Sequence, residues 1–336
     1  MSSVNIIELA KYLNISKSTV SRALKDSYEI SEETKARVRA AAKELNYQPN
    51  PYASSLRKHS SKTIAVVVPE VLNNFFSTAI SGIEDVALEK GYHVLIYLTH
   101  DNAESEVAIF NLLKSGRVDG IIMAVTSNPD QTNHIKELHD RGIPIVFFDR
   151  ICDNFDTVKL VTNDLESACK ATEHLIEKGC KRIAFLSVLK TFSVGNNRLE
   201  GYKQALTKHN IPIDESLIVR GSQDYDNNYQ LIKQLLRSSN PPDGAFAPVE
   251  KMATTFYYAC NELKLKIPND IRIISFCNLE TADLLQPPLS TVKQPAFEMG
   301  KTAATLLMNS FEKKKYKLTN EIIVLPSQII ERESSR

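Results

Sequence analysis

The sequence has no apolar run near the roughly 20 residues that span a bilayer, and only five cysteines in 336 residues. Cys152, Cys169, Cys180, Cys260 and Cys277 form no CxxC and have no histidine at ligand spacing. That argues against a disulfide framework or a zinc site and predicts small buried hydrophobes in a reducing compartment. The opening MSSVNIIELAKYL interrupts any would-be apolar segment with polar and charged residues, so a secretory signal is not expected and the cytoplasm is the expected location. Signatures of catalysis are missing too. Gly300-Lys301-Thr302 imitates the end of a phosphate-binding loop, but Pro295 stands where its upstream glycine is required. Seven histidines show no HxxxH and no serine–histidine–aspartate logic. The expectation is a non-enzyme with no metal and no cofactor.

What is present is a globular composition, 43% apolar and 24% charged, in a chain long enough for two or more structural units. Net charge is only +1, but it is unevenly spread. Residues 1–62 hold 11 Lys and Arg against 6 acids, a net +5 that leaves the other 274 residues at −4. A basic head on a mildly acidic body favours nucleic acid at one end, although a solvated helical surface gives the same count.

The head reads as three short helices. Ile6, Leu9, Ala10 and Leu13 make one apolar stripe at helical spacing. Ser16 is placed to cap a second helix through Leu24, after the break at Asn14-Ile15. Ser31 caps a third, with Glu32 and Glu33 in its first turn and a stripe of Val38, Ala41, Ala42 and Leu45. This is a helix-turn-helix arrangement. Its second helix presents Lys17, Ser18, Ser21 and Arg22 outward, while Val20 and Leu24 point inward. Hydroxyls for phosphates and Lys or Arg for guanine edges are what a major groove requires. An ordinary surface helix of a bundle is the plainer alternative.

Residues 49–62 form a linker with two prolines and four serines; Pro51 after Asn50 permits a short helix through Lys58, too short to be stable unless docked. Ala53 and Leu56 share one side of it, next to Arg57, and fit a wedge opening a minor-groove step; the alternative is a tether whose Leu56 packs on the next unit. From Thr63 strand and helix alternate. Strands are expected at Ile64–Val68, Val94–Leu98, Gly120–Val125 and Pro144–Asp149, with a helix to Lys90 after the first. The pattern restarts at Lys181, with strands near Leu217–Arg220, Gly244–Ala247 and Arg272–Phe276. A helix from Ala296 to about Lys315 precedes strand-like Ile322–Leu325 and Gln328–Ile330. Two such series predict two doubly wound α/β lobes of parallel sheet with a cleft between them.

These residues carry a resemblance. Ile6…Glu8-Leu9-Ala10, Ser16…Thr19-Val20-Ser21-Arg22-Ala23-Leu24, Ser31-Glu32-Glu33-Thr34 and Asn46-Tyr47…Pro49-Asn50-Pro51-Tyr52-Ala53-Ser54-Ser55-Leu56-Arg57 resemble the DNA-binding headpiece of the lac-repressor (LacI/GalR) family of bacterial transcription regulators. Asn74-Phe75-Phe76, Phe148-Asp149-Arg150, Arg198…Gly201-Tyr202 and Pro287-Pro288-Leu289-Ser290-Thr291-Val292 extend it through the body. The resemblance implies a homodimer, a periplasmic-binding-protein-like two-lobe body, a pseudo-palindromic double-stranded DNA operator, and a small carbohydrate-related effector in the cleft. It implies limits of 1–48 for the headpiece, 49–62 for the hinge helix, 63–162 with 292–331 for the N-terminal lobe and 163–291 for the C-terminal lobe. Ser16, Ser31 and Thr34 would contact phosphates; Lys17, Ser18 and Arg22 would read bases; Leu56 would intercalate beside Ala53. Thr19, Ser21, Tyr47, Asn50 and Arg57 complete the implied DNA face. Asn74, Phe75, Asp149, Arg150, Asn197, Arg198, Val249, Cys277 and Asn278 are the implied effector contacts. Val249 and Cys277 replace polar groups that often grip sugar hydroxyls, which leaves Arg198 less balanced by acid unless Glu250 or Asp149 faces it. An effector that is anionic, or less hydroxylated than a plain hexose, is therefore expected. The absence of heptads after Glu331 favours a dimer over a tetramer. A solute-binding protein or a doubly wound sugar kinase is the rival; the basic head opposes the first and the missing phosphate loop the second.

Overall fold

The computed structural model describes residues 4–47, 60–126, 131–187, 193–222, 224–312 and 316–336. The chain falls into two units, Met1–Ser61 and Lys62–Arg336. The expected hinge residues Asn50, Ala53, Leu56 and Arg57 lie outside the described residues.

The first unit is built from α1 (Ile6–Leu13), α2 (Lys17–Leu24) and α3 (Glu32–Glu44). Each begins where a side chain can satisfy an orphan amide. Asn5 and Glu8 form a reciprocal capping box on α1; Ser16 accepts from the Thr19 amide and Ser31 from the Thr34 amide. Asn14, left-handed at φ 53°, ends α1 and turns the chain into α2. Leu9, Val20, Ala23 and Val38 are wholly buried where the three helices meet.

The second unit contains two six-stranded sheets among the described residues. The first, in the order β2-β1-β3-β4-β5-β11, comprises β1 (Thr63–Val68), β2 (His93–Leu98), β3 (Gly120–Met123), β4 (Ile145–Phe148), β5 (Lys159–Thr162) and β11 (Ile322–Leu325), all parallel. All six residues of β1 are buried, because Ile64, Val66 and Val68 meet α4 (Asn74–Glu89) and α11 (Ala296–Glu312) on one face. Ala65 and Val67 meet α5 (Ala103–Leu113) and α6 (Asn133–Asp140) on the other. α4 and α11 cross at van der Waals distance through glycine. A Cβ on Gly300 would stand 1.9 Å from the Ala79 carbonyl oxygen, so the Gly300-Lys301-Thr302 segment is ordinary helix chosen for close packing.

The second sheet runs β7-β6-β8-β9-β10-β12. Its strands are β6 (Ile183–Ser187), β7 (Ile218–Arg220), β8 (Gly244–Ala247), β9 (Arg272–Phe276), β10 (Ser290–Lys293) and β12 (Gln328–Ile330). α7 (Asp164–Glu177) and α8 (Ser193–Lys208) cover one face, α9 (Tyr225–Leu236) and α10 (Glu250–Leu263) the other. β12 is antiparallel to β10, Thr291 facing Ile330, so this sheet is not wholly parallel.

Four expectations need correction. β4 stops at Phe148 because Asp149 is left-handed, at φ 60°, and leaves the strand. β7 begins at Ile218 because Glu215–Leu217 is a 3-10 turn. β5 and β10 were not expected; their sequences, KLVT and STVK, carry a lysine and few apolar residues. Lys159 is buried only because its ammonium donates to the Phe155 carbonyl at 2.6 Å and to Asn320 Oδ1 at 2.6 Å. The lobes also divide the chain otherwise than at 162, 291 and 331. β10 belongs to the second sheet, so the chain returns to the first lobe after Lys293, and β12 takes it back again. The final residues stay in the second lobe, Ser334 N donating to the Pro288 carbonyl and Arg332 Nη1 to that of Leu289. The three crossings are bonded together: Gln294 Nε2 donates to Thr162 Oγ1 at 3.2 Å and Ser327 N to Asn163 Oδ1 at 2.8 Å.

Candidate DNA face and effector cleft

On the first unit, α2 presents Lys17, Ser18 and Arg22 to solvent, with Thr19 and Ser21 half-buried. Ser16 Oγ lies 2.7 Å from Ser18 Oγ and 2.8 Å from Thr19 Oγ1, so three hydroxyls cluster at the N-terminus of α2. Ser31 Oγ and Thr34 Oγ1, 2.9 Å apart, form a second pair at the start of α3. Hydroxyls and free amides at helix N-termini suit phosphate oxygens. Arg22 forms an ion pair with Glu29, Nη1 to Oε2 at 2.9 Å. Tyr47 is half-buried against the headpiece core, and burial pushes its hydroxyl pKa up, so its ring has a packing role.

On the second unit, a cleft lies between the two sheets' carboxyl ends, about 980 Å³ including its open mouth. From the first lobe Phe75, Asp149 and Arg150 line it, as expected; from the second, Arg198, Val249, Cys277 and Asn278 do. Asn74 does not line the cleft. Its Nδ2 donates to Glu250 Oε1 at 2.6 Å, joining the first residue of α4 to the first residue of α10 across the two lobes. Asn197 is exposed on α8 and is not among the lining residues, because the helix turns it away from Arg198. Val194, one turn before Arg198, takes the place next to it and was readable from that four-residue spacing. Glu70, Leu72, Asn73, Phe76 and Asp101 also line the cleft from the first lobe, and Glu250, Lys251, Thr254 and Phe276 from the second, with Gln294 at the crossing. Half of these come from loops, whose convergence only the fold supplies.

Arg198 is 4% exposed and is not short of acid. Its Nε donates to Asp164 Oδ1 at 2.7 Å, its Nη1 donates to the Pro248 carbonyl, and its guanidinium lies 3.8 Å from the Phe276 ring centroid. The expectation of an unbalanced Arg198 fails because Asp164, the first residue of α7, was not foreseen as its partner. Asp164 also accepts from Thr162 Oγ1 at 3.1 Å. Arg150 is matched within its own lobe, Nη1 donating to Asp101 Oδ1. Asp149, 8% exposed, lies among Arg150, Arg198, Asp164 and Gln294. Burial raises its carboxyl to about 6, against the pull of Arg150 and Arg198. Burial, then the Glu250 charge, pushes the Cys277 thiol up to about 12, so it stays protonated and donates to Glu250 Oε2 at 3.6 Å. Asn278 Nδ2 donates to the Gln294 carbonyl at 2.8 Å, tying the cleft floor to a crossing strand.

Comparison with known proteins agrees with this division. Residues 5–50 match the bacterial regulatory proteins of the lacI family, and residues 172–335 match the periplasmic binding protein-like domain. The ribose operon repressor of Halalkalibacterium halodurans is 31% identical over 332 residues, 98% of this chain and 97% of that protein. A LacI family transcriptional regulator from Enterococcus faecium, solved with bound ribose, is 29% identical with a TM-score of 0.73, covering 81% of this chain and 98% of that one. The lac repressor dimer bound to operator and an anti-inducer superposes with a TM-score of 0.87 over 99% of both chains; at 24% identity it shows the fold. Among the described residues no helix is long and apolar enough to cross a membrane. A capped helix-turn-helix, a two-sheet binding-protein body and relatives matched end to end lead to one conclusion: this chain belongs to the lacI family of bacterial regulatory proteins, DNA-binding transcriptional repressors with a metabolite-binding body.

Proposed function

We propose that this repressor binds a pseudo-palindromic operator as a homodimer in the bacterial cytoplasm and is switched by a small neutral polyhydroxylated metabolite. Ser16, Ser31 and Thr34 anchor phosphates, Lys17, Ser18 and Arg22 read base edges, and Ala53 and Leu56 open the central step. The dimer reading is supported by the edge strand β2, whose Leu95 and Ile96 are 40% and 46% exposed, and by Leu88 just before it, 68% exposed.

The observation that carries the effector class is charge pairing. Each cleft guanidinium already has a carboxylate of its own lobe, Arg150 with Asp101 and Arg198 with Asp164. The lining holds Glu70, Asp101, Asp149 and Glu250 against Arg150, Arg198 and Lys251. A phosphorylated ligand would meet excess acid, whereas hydroxyls find both donors and acceptors, and Phe75 and Phe276 offer apolar faces to a sugar ring. The relatives named for ribose are consistent with this class. Calorimetric titration of the full chain with ribose, cellobiose and other neutral sugars, and with their phosphates, tests it. Neutral sugars are expected to bind and to change operator affinity; binding confined to the phosphates refutes the effector class. Selection of bound sequences from random duplexes tests the operator, a pseudo-palindrome being the expected product.

A further inference from the structure

The acid beside Arg22 is out of place on a surface meant for phosphates. Residues 1–62 carry +5, yet Glu29 sets a carboxylate 2.9 Å from the guanidinium of a groove-facing arginine. Stability does not explain it. The two side chains are 59% and 45% exposed, and a solvated pair of that kind adds little to a folded domain.

The loop that carries Glu29 is braced on both sides. Ser27 N donates to the Arg22 carbonyl at 3.0 Å and Asp26 N to that of Ala23, folding the loop back on the end of α2. Asp26 is left-handed at φ 57°, and its carboxylate is gripped by Arg39 at 2.7 Å and Lys35 at 3.2 Å from α3. Those cations hold the Asp26 carboxyl below its ordinary range, the Lys35 hydrogen bond foremost. Glu29 N donates to Ser27 Oγ at 3.4 Å and Ile30 N to the Ser27 carbonyl at 3.2 Å, after which Ser31 caps α3. Glu29 therefore stands on a fixed turn, and its carboxylate fixes Arg22.

We propose that Glu29 is a positioning residue that makes Arg22 a reader of bases rather than a binder of phosphates. An arginine free to swing settles on the nearest phosphate, which carries no sequence information. With Nη1 held by Glu29, the other edge of the guanidinium is presented in one orientation, as bidentate recognition of guanine O6 and N7 requires. The carboxylate itself repels the backbone. Sequence discrimination is gained and affinity for DNA in general is lost. This inference rests on the proposal that α2 lies in the major groove.

The test uses the full chain and the operator found by selection. Arg22→Ala first identifies the base pair that Arg22 reads, as the position where discrimination collapses. Glu29→Gln, which keeps the size of a 45% exposed side chain, is then measured on the operator, on duplexes substituted at that base pair, and on random duplex at several salt concentrations. Random duplex is expected to bind several-fold tighter, with the slope of log affinity against log salt steeper by about one phosphate contact. Discrimination at the Arg22 position is expected to fall several-fold while other positions keep theirs. In an Arg22→Ala background, Glu29→Gln should change discrimination no further. Equal tightening on every duplex with discrimination intact overturns the proposal, because Glu29 is then a bulk charge only. A loss spread evenly over all base pairs also overturns it, because Glu29 is then a brace for the headpiece. Failure of the wild-type chain to select any sequence would instead overturn the DNA-reading of α2.

Discussion

Replacing Asp164 by Asn keeps its shape and one acceptor oxygen but removes the charge that Arg198 donates to at 2.7 Å. Both residues are 4% exposed, so water does not take the place of the lost carboxylate. Breaking a buried pair from one side costs about 3–5 kcal/mol, because the remaining charge is left without a counterion. Asp149 reduces that cost. Asp164 raises the Asp149 carboxyl and Arg198 lowers it, so without Asp164 the Asp149 group ionises more readily and faces the orphaned guanidinium. The low end, about 3 kcal/mol, is expected near pH 8, which lowers Tm by roughly 6–12 °C for a body of this size. Scanning calorimetry of the full chain measures it. The double variant Asp164→Leu with Arg198→Met removes both charges and should recover most of the stability, yet bind no effector. A single variant that melts within about 2 °C of wild type would mean that Arg198 is solvated and that the balanced-cleft reasoning is wrong.

Other outcomes follow from the same geometry. Burial holds the Asp149 carboxyl at about 6 rather than its ordinary 3.8, so the folded chain keeps a proton that the unfolded chain has released. Stability is then expected to fall by about 3 kcal/mol as pH rises from about 4 to about 6 and to level off above that. Urea denaturation of Asp149→Asn should lack that fall, and parallel profiles for the two proteins would contradict the assignment. Gly300→Ala pushes a methyl to within 1.9 Å of the Ala79 carbonyl, backbone that cannot step aside, and should cost about 3 kcal/mol by thermal melting. Asn74→Ala deletes the 2.6 Å bond to Glu250 that spans the lobes. Small-angle scattering should then show a more open ligand-free body, and an unchanged profile would remove this bond from the forces closing the cleft.

The headpiece was legible almost residue by residue because its signals are local. Ser16 and Ser31 cap their helices through bonds to amides three residues on, and such bonds form wherever the sequence puts the hydroxyl. The strands written as apolar runs, β1, β8 and β9, were equally plain. β5 and β10 were not, since a lysine in the one and hydroxyls in the other are buried by partners elsewhere in the chain: Lys159 by Asn320, Ser290 by Arg332 and Ser334. The cleft was half legible. Arg198, Asp149, Cys277 and Asn278 were found from the family resemblance, while Asp101 and Gln294 lie in loops with no periodic signal of their own.

The sequence alone determined the order of the units, the caps that start α2 and α3, the alternation of strand and helix, and which side chains α2 turns to solvent. These depend on contacts a few residues apart or on the burial of one face. Only the tertiary structure decided what the charges do. Arg198 meets Asp164 across 34 residues, Asn74 meets Glu250 across 176, and β12 returns to the second sheet after β11 has closed the first. A guanidinium or carboxylate in a sequence has no fixed partner; its effect depends on what packs within a few ångströms of it once water is excluded. For that reason a cleft that looked cationic in the sequence is balanced in the fold.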